Sequence, residues 1–226
     1  MKRVKSGIPG LDELIEGGFL PTSTVLISGT AGAGKTLFCS QFIYNGAKKY
    51  NEPGVYLTFE ETPESIITNM KRFGCDFQKL IDEKKVSFLL YDIRMPDVFD
   101  EVYSAINKVK AKRVCIDSIA TWGLYVGELG LIRRRILEFL SRIRATECTT
   151  LLTTEIPSGS SGISRFGVEE FLSDCVIILN YLRKRGAFER SVIVWKYRGS
   201  EHSYKVHPFK ITNKGIAIFP KEEVID

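Results

Sequence analysis

The sequence predicts an α/β fold built on a mainly parallel, twisted sheet that is flanked by helices and extended by C-terminal antiparallel strands. Short runs rich in β-branched residues alternate with longer segments of helical periodicity in the earlier part of the chain. After about Ser173 the alternation stops, and strand-like runs follow one another with short polar connections. Strands separated by helices indicate right-handed crossovers in a parallel sheet, whereas directly connected strands favour antiparallel pairing.

The predicted elements of the earlier part begin with a strand and then alternate. Strands are predicted at Thr24–Ser28, Val55–Phe59, Val86–Tyr91, Arg113–Ile116 and Thr149–Thr153. Helices are predicted at Thr36–Lys48, from Thr62 onward, at Val98–Val109 and at Gly130–Arg144. At the start of the second helix, Thr62 is suited to cap the N-terminus and Pro63 suits the first helical position.

The C-terminal extension is predicted to add strands to the same sheet. Its strand-like runs are Val176–Tyr181, Arg190–Arg198, Tyr204–Lys210 and Gly215–Phe219. The first two are joined by a polar connection, Arg183–Gly186. No linker, internal repeat or low-complexity tract interrupts residues 1–226, which predicts one domain.

The composition excludes several classes of protein. Hydrophobic residues make up 44% and charged residues 26% of the 226, as in an ordinary globular protein and unlike a disordered chain, a collagen or a disulfide-stapled miniprotein. The five cysteines are scattered and never form a CxxC pair, which predicts reduced thiols in a cytoplasmic protein. No apolar run is long enough for a membrane span, and no apolar leader follows Met1. The net charge of +5 suits an anionic ligand without requiring nucleic acid.

A phosphate-binding loop is predicted between the first strand and the first long helix. The segment fits G-x-x-x-x-G-K-[ST] in full, with Gly29, Thr30, Ala31, Gly32, Ala33, Gly34, Lys35 and Thr36. The glycines let successive N–H groups point at one anion, and the helix N-terminus adds its dipole. Lys35 can reach the β- and γ-phosphates, and the Thr36 hydroxyl can bind Mg²⁺. The sequence therefore predicts a nucleoside triphosphate site.

Carboxylates follow three other predicted strands, at the edge where open α/β sheets bind ligands. Asp117 is a candidate Walker B acid for Mg²⁺, with helix capping as the alternative. Glu60 is placed to activate water, and Glu61 adjoins it with its side chain turned away. The alternative for both is a pair of solvated acids at a helix start. Glu155 is equally suited to sensing the γ-phosphate or to capping a loop.

The predicted strand that ends near Arg198 carries two cationic residues separated by one aromatic residue. Because residues two apart share a face, Lys196 and Arg198 are expected to project together, with Trp195 and Tyr197 on the opposite side. Adjacent cations repel unless an anion lies between them, and a γ-phosphate is such an anion. Both groups could act on the nucleotide of a neighbouring subunit. The alternative is a cationic edge strand that prevents aggregation.

With these motifs together, the chain resembles the KaiC-like branch of the RecA superfamily of P-loop ATPases over nearly its whole length. The matching segments are Ser6–Leu14 with Gly17-Gly18, Gly29–Thr36, Phe59–Glu61, Ile116–Ser118, Lys196–His202 and Pro208–Ile216. The phosphate-binding loop alone is unspecific. The glutamate pair combined with Lys-Tyr-Arg-Gly and the closing strand pair is specific to this branch.

The resemblance implies a RecA-like core that assembles into a ring, expected to be a hexamer, with ATP and Mg²⁺ between subunits. Lys196 and Arg198 would then act in trans. Other residues implied to contact the nucleotide are Leu37, Tyr197, Ser200, His202, Thr212 and Asn213, of which His202, Thr212 and Asn213 would approach from the neighbouring subunit. The clock members of the branch carry two such domains in tandem, and here there is one copy, so neither a circadian role nor autokinase activity is implied.

Two alternatives to a ring ATPase remain open from the sequence. One is a nucleotide-gated scaffold that binds ATP and a protein partner with little turnover. The other is a DNA-dependent ATPase, because recombinase relatives hold single-stranded DNA with two mobile loops, here Ile119–Leu129 and Pro157–Gly167. The second loop has only one arginine and one aromatic residue, fewer than strand binding usually requires, so nucleic acid is not favoured.

Overall fold

The computed structural model describes residues 2–92, 98–184 and 187–224. Its strands are β1 Thr24–Gly29, β2 Gly54–Thr58, β3 Val86–Leu90, β4 Arg113–Asp117, β5 Thr149–Glu155, β6 Cys175–Lys184, β7 Ala187–Tyr197, β8 His207–Thr212 and β9 Gly215–Ile218. Its helices are α1 Leu11–Leu14, α2 Lys35–Lys49, α3 Pro63–Lys71, α4 Gln78–Asp82, α5 Val98–Val109, α6 Ile119–Val126, α7 Leu129–Arg144 and α8 Glu169–Leu172.

The strands form one sheet in the order β3-β2-β4-β5-β1-β6-β7-β8-β9. All pairings from β3 across to β6 are parallel, and the pairings of β6 with β7, β7 with β8 and β8 with β9 are antiparallel. The predicted α/β class, the mainly parallel sheet and its C-terminal antiparallel extension are therefore confirmed. Because β1 runs parallel to its neighbours β5 and β6, the loop that follows it opens at the same carboxyl edge of the sheet as the loops after the other parallel strands.

Three local expectations were wrong. The segment from Ile119 was expected as a loop, but its apolar residues form helix α6, which packs on β5. The strand expected from Tyr204 begins only at His207, because the backbone N–H of Ser203 bonds to Leu14 in α1 instead of to a strand. The expected connection at Arg183–Gly186 is partly strand, since β6 runs to Lys184; Arg185 and Gly186 lie outside the described residues.

Hydrophobic residues form a core on each face of the sheet. On one face, α2 contributes Phe38 and Phe42, which pack with Tyr56 of β2. On the other, α5 and α7 bury residues at helical spacing, among them Ile136 and Phe139 of α7. The two faces together hold the strands rigidly, so the groups that leave the strand ends are positioned by the sheet.

Burial also determines the reactivity of the cysteine thiols. All five are buried and free. Burial raises the pKa of the Cys75 thiol to about 11, and it raises the pKa of the Cys39 and Cys115 thiols as well. They are therefore inert thiols within the core. None of the helices that the structure describes is long and apolar enough to cross a membrane.

Candidate nucleotide site

A cavity of about 390 Å³ opens at the carboxyl ends of β1, β2, β4 and β5. It lies where open α/β sheets bind ligands. Residues from the phosphate loop, from the turn after β2 and from the ends of β4 and β5 line it together. They are Ala31, Gly32, Gly34, Lys35, Thr36, Leu37, Thr58, Glu60, Glu61, Asn69, Met70, Phe73, Asp117, Ser118, Glu155 and Ile211.

The backbone between β1 and α2 has the conformation that its glycines permit. Gly34, the residue before α2, has φ +107°, and a Cβ placed there would lie 3.2 Å from Ile211 Cδ1. Lys35 folds back over the loop and donates to the carbonyls of Gly29 at 2.9 Å and Thr30 at 3.1 Å. Burial lowers the pKa of Lys35, and Glu155 and Asp117 oppose that shift. An anion in the cavity would stabilise the charged form.

Asp117 is surrounded by hydroxyl donors from three elements. Thr36 Oγ1 lies 2.8 Å from Asp117 Oδ2, Tyr56 Oη donates to the same oxygen at 2.6 Å, and Thr153 Oγ1 donates to Oδ1 at 2.5 Å. Burial, followed by the Asp117 charge, raises the pKa of Tyr56 well above its ordinary value, so the phenol stays protonated and donates. These contacts orient the carboxylate toward Thr36, whereas a helix cap would bond to the backbone of α6.

Glu60 and Glu61 both line the cavity but have different partners. Glu60 Oε1 accepts from Thr121 Oγ1 in α6 at 2.7 Å, and Glu61 Oε2 accepts from Ser65 Oγ in α3 at 3.4 Å. The Thr58 hydroxyl supports the turn, donating to the Glu61 carbonyl at 2.9 Å. Glu60 is thus held toward α6, which follows Asp117 of β4, while Glu61 is held toward the start of α3.

Magnesium binding at this cavity depends on few protein ligands. Among the residues that the structure describes, no group of three or more His, Cys, Asp or Glu could hold a metal ion. Mg²⁺ is commonly bound by one or two protein oxygens together with substrate phosphates and water. The hydroxyl of Thr36 and the carboxylate of Asp117, which face each other at 2.8 Å, fit such a site.

Lys196 and Arg198 lie at the opposite edge of the sheet from the phosphate loop. Lys196 pairs with Val176, which is level with Leu26 of β1, whereas Gly29 is level with Leu179. That offset is about 10 Å along the strands, and β6 lies between β1 and β7. Lys196 Nζ donates to the Glu170 carbonyl at 2.6 Å, and Arg198 donates to the Phe171 carbonyl at 3.0 Å. Burial and the Arg198 charge lower the pKa of Lys196.

The neighbours of these cations do not all follow the expected alternation. The pairing shifts register between Val176 and Ile177, where Lys196 and Val194 are the partners and Trp195 is passed over. Trp195 is therefore 56% exposed, while Tyr197 is buried and its hydroxyl accepts from the Leu20 N–H. Trp195 and Tyr197 were expected on the side opposite the two cations; the bulge interrupts the period of two at Trp195, and the two aromatic side chains differ in exposure.

One protein family matches nearly the whole chain, including the segments that form this site. The family described as "ATPase: KaiC" matches residues 4–223. The chain belongs to the KaiC family of ATPases. It carries a RecA-like sheet with antiparallel strands added at the C-terminal end.

Proteins of known sequence and structure support this assignment. The chain is 40% identical to UPF0273 protein MJ1359 of Methanocaldococcus jannaschii, over 97% of both chains. It is 40% identical to the circadian clock oscillator protein KaiC of Parathermosynechococcus lividus, over 96% of this chain but 42% of that one. The crystal structure of the KaiC-like protein PH0186 of Pyrococcus horikoshii superimposes with a TM-score of 0.90 at 41% identity, over 97% of this chain and 99% of that one.

In this KaiC-family chain, the turn between β8 and β9 lies beside the chain's own phosphate loop. Ile211 lines the same cavity as Lys35, and Gln41 of α2 accepts from the Ile216 N–H at 2.6 Å. Thr212 ends β8, and Asn213 begins that turn. Both residues were expected to approach the nucleotide of a neighbouring subunit; in this chain the antiparallel end of the sheet packs back onto α2, which places the turn beside the chain's own cavity.

The remaining residues that were expected to contact the nucleotide lie at two different edges of the sheet. Leu37 lines the cavity at the start of α2. Ser200 lies beyond β7, where its hydroxyl donates to Glu16 Oε2 at 2.7 Å, and the partly exposed His202 follows two residues later. The hydrogen bond from Ser200 lowers the pKa of Glu16. The structure therefore groups Ser200 and His202 with the chain segment after Arg198, away from the cavity.

Sequence reasoning missed several residues of the cavity. Tyr56 and Thr153 orient Asp117, and Thr121 holds Glu60. Tyr56 could have been found from the strand pattern, because it lies two residues before Thr58, the partner of Asp117, and so shares its face. Thr121 could not, because its placement depends on α6 being a helix.

Proposed function

We propose that the chain binds Mg-ATP in the cavity beside Gly29–Thr36 and hydrolyses it at a seam between two copies of itself. The observation that carries the proposal is the position of Lys196 and Arg198. They lie at the amino edge of the sheet, about 10 Å further back along the strands than the start of the phosphate loop. They are out of reach of this chain's own phosphates, but they are free to face the cavity of a neighbour.

The chain's own residues would hold the nucleotide. Backbone N–H groups of Gly29–Thr36 and the Lys35 ammonium would bind the phosphates. Thr36 and Asp117 would hold the Mg²⁺ ion, which neutralises charge on the phosphate oxygens when it is bound. Thr212 and Asn213 would border the nucleotide from the same chain, because their turn packs beside the loop.

Glu60 is the proposed group that accepts a proton from the attacking water. Its carboxylate lines the cavity and is oriented by the Thr121 hydroxyl, which leaves its second oxygen available to a water molecule. Glu61 lines the same cavity but is held toward α3, so we assign it a supporting electrostatic role.

The neighbouring copy would supply the charge that the transition state needs. An arginine added in trans stabilises the charge that develops on a transferred phosphoryl group. Beside Lys196 and Arg198 the surface carries two exposed aromatic side chains, Trp195 at 56% and Phe171 at 58%. Such a surface suits burial against a second copy. The backbone of Tyr197 and the side chains of Ser200 and His202 would reach the neighbour's nucleotide with them, in a ring that we propose to be hexameric.

Nothing in the described residues favours the DNA-dependent alternative. The first expected DNA loop is helix α6, and Arg165, the one cation of residues 157–167, pairs with Glu155 at 3.5 Å. A nucleotide-gated scaffold differs from the proposed enzyme in one measurable respect, which is that it assembles on ATP without releasing phosphate.

The test compares phosphate release by the unaltered chain with release by a variant that carries Lys196→Ala and Arg198→Ala. We expect turnover to fall by at least about 10³-fold, while the isolated chain binds ATP as before. Lys79→Ala, at an exposed lysine of α4, is the matched control and should leave turnover unchanged. Unchanged turnover in the double variant would overturn the proposal, and ATP-dependent assembly of the unaltered chain without phosphate release would favour the scaffold.

A further inference from the structure

The segment between β5 and β6 connects the cavity edge to the two cations. At its start, Glu155 lines the cavity. Near its end, the carbonyls of Glu170 and Phe171 in α8 hold Lys196 and Arg198. The segment between β5 and β6 therefore contacts the cavity of its own copy at one end. At the other end it contacts the two cations that are proposed to act in the cavity of the neighbouring copy.

The side chain of one buried glutamate in this segment accepts hydrogen bonds from several parts of the segment. Glu169 is 1% exposed. It accepts from Thr154 Oγ1 at 2.9 Å and from the backbone N–H groups of Phe166 and Val168, each at 3.2 Å, and the Ser164 hydroxyl lies between it and Glu170. Because these donors come from β5, from the loop and from the start of α8, one carboxylate joins all three.

Helix α8 cannot fix its own position. It has four residues, and a helix of one turn is not stable without tertiary contacts. The Ser28 hydroxyl, on the strand that leads into the phosphate loop, donates to the Ile163 carbonyl and anchors the middle of the segment. Beyond that anchor, α8 is positioned by its packing on α7 and by the hydrogen bonds to Glu169.

We propose that Glu169 is a positioning residue that sets Lys196 and Arg198 at the angle needed to reach the neighbouring copy's γ-phosphate. The inference rests on the proposed function. Because Thr154 precedes Glu155 directly, the same carboxylate ties the position of the cations to the edge of this copy's own cavity. It touches no phosphate itself, so it acts only through the groups that it orders.

Glu169→Gln is the informative substitution. It keeps the size of the side chain but replaces one acceptor oxygen with an amide NH₂, which cannot accept from the backbone N–H groups of Phe166 and Val168. Glu138→Gln is the control. It makes the same change at an exposed glutamate of α7, whose partner is Arg134.

The experiment uses mixed rings of two inactive subunits. A donor subunit carries Glu60→Gln and supplies intact cations, and an acceptor subunit carries Lys196→Ala with Arg198→Ala and supplies an intact cavity. Glu169→Gln is added either to the donor or to the acceptor, and phosphate release is measured at saturating ATP. Native mass spectrometry checks that rings of equal composition form, and thermal melting checks that each subunit is folded.

We expect phosphate release to fall about tenfold or more when Glu169→Gln is in the donor, and to change less than about twofold when it is in the acceptor. A purely structural role would not separate the two placements. Equal loss in both, or no loss in the donor, would overturn the inference while the proposed function stands. If the parent mixture without Glu169→Gln releases no phosphate, the proposed function fails and the inference fails with it.

Discussion

The hydroxyl of Thr36 and the carboxylate of Asp117 lie 2.8 Å apart, although 81 residues separate them in the chain. Thr36 begins α2 after the phosphate loop, and Asp117 ends β4 two strands away from β1. The parallel sheet brings them together, because it places all its carboxyl ends at one edge. This pair is the one that we propose holds Mg²⁺.

The first prediction concerns the residues that orient Asp117. Tyr56→Phe removes the hydroxyl that donates to Asp117 Oδ2 at 2.6 Å and leaves the ring packing unchanged. Loss of such an orienting contact weakens metal affinity about 10- to 100-fold. We expect the Mg²⁺ concentration for half-maximal phosphate release to rise by that factor, and chelation of Mg²⁺ to abolish release in both proteins. Tyr44→Phe, a buried tyrosine that bonds to Lys48 away from the site, is the control.

The second prediction separates the two glutamates. Glu60→Gln should lower turnover about 10²- to 10⁴-fold, the usual contribution of a general base, and leave ATP binding intact. Glu61→Gln should lower it less, because Glu61 is held toward Ser65 of α3. Single-turnover phosphate release measures both variants. Equal losses would show that the two carboxylates share the task, and a larger loss for Glu61→Gln would reverse the assignment.

The third prediction follows from the lowered pKa of Lys35. Between that lowered pKa and the ordinary value of 10.5, the unfolded chain binds more protons than the folded chain. The contribution of Lys35 to the free energy of unfolding therefore rises with pH across this range, and it is lowest at pH values below the lowered pKa. Lys35→Met should therefore stabilise the nucleotide-free chain near neutral pH, by an amount that shrinks as the pH approaches 10.5.

Urea unfolding at about pH 7.5 and about pH 10 measures the third prediction. Lys79→Met, at an exposed lysine of α4, controls for the loss of a lysine side chain. The same Lys35→Met variant should show no thermal stabilisation by Mg-ATP. A stability difference that does not depend on pH would contradict the burial of a charge at this position.

The fourth prediction concerns a buried ion pair that links the N-terminal segment to the core. The side chain of Arg113 in β4 is fully buried, bonds to Glu52 Oε2 at 2.6 Å and donates to the carbonyls of Phe42 and Lys5. Glu52→Ala leaves the guanidinium without its counter-charge, and removal of one partner of a buried pair costs about 3 kcal/mol or more. Urea unfolding should show that loss. A loss below about 1 kcal/mol would show that the pair behaves like an exposed one.

Much of the fold could be predicted because its signals are local. The strand runs and helical periods of the βα part are each readable within a dozen or so residues, and α5 begins and ends at Val98 and Val109, as its pattern predicts. The phosphate loop is equally local. Asp117 and Glu60 could be placed near it because parallel strands share an edge.

The parts that sequence reasoning missed depend on contacts between distant elements. The bulge that exposes Trp195 depends on how β7 pairs with β6, and a period of two cannot show it. The position of Thr212 and Asn213 beside the chain's own cavity depends on the sheet packing back onto α2, which no local pattern indicates. Glu169 lies in a Glu-Glu pair without any motif, and only the structure shows that one glutamate of the pair is buried.

The most direct test of the account mixes two subunits that are each inactive. One carries Glu60→Gln, and the other carries Lys196→Ala with Arg198→Ala. If the cations of one copy complete the site of the next, the mixture releases phosphate with Mg-ATP although neither subunit does so alone. If the mixture is as inactive as its parts, while both subunits bind ATP and assemble, then Lys196 and Arg198 do not act across a seam.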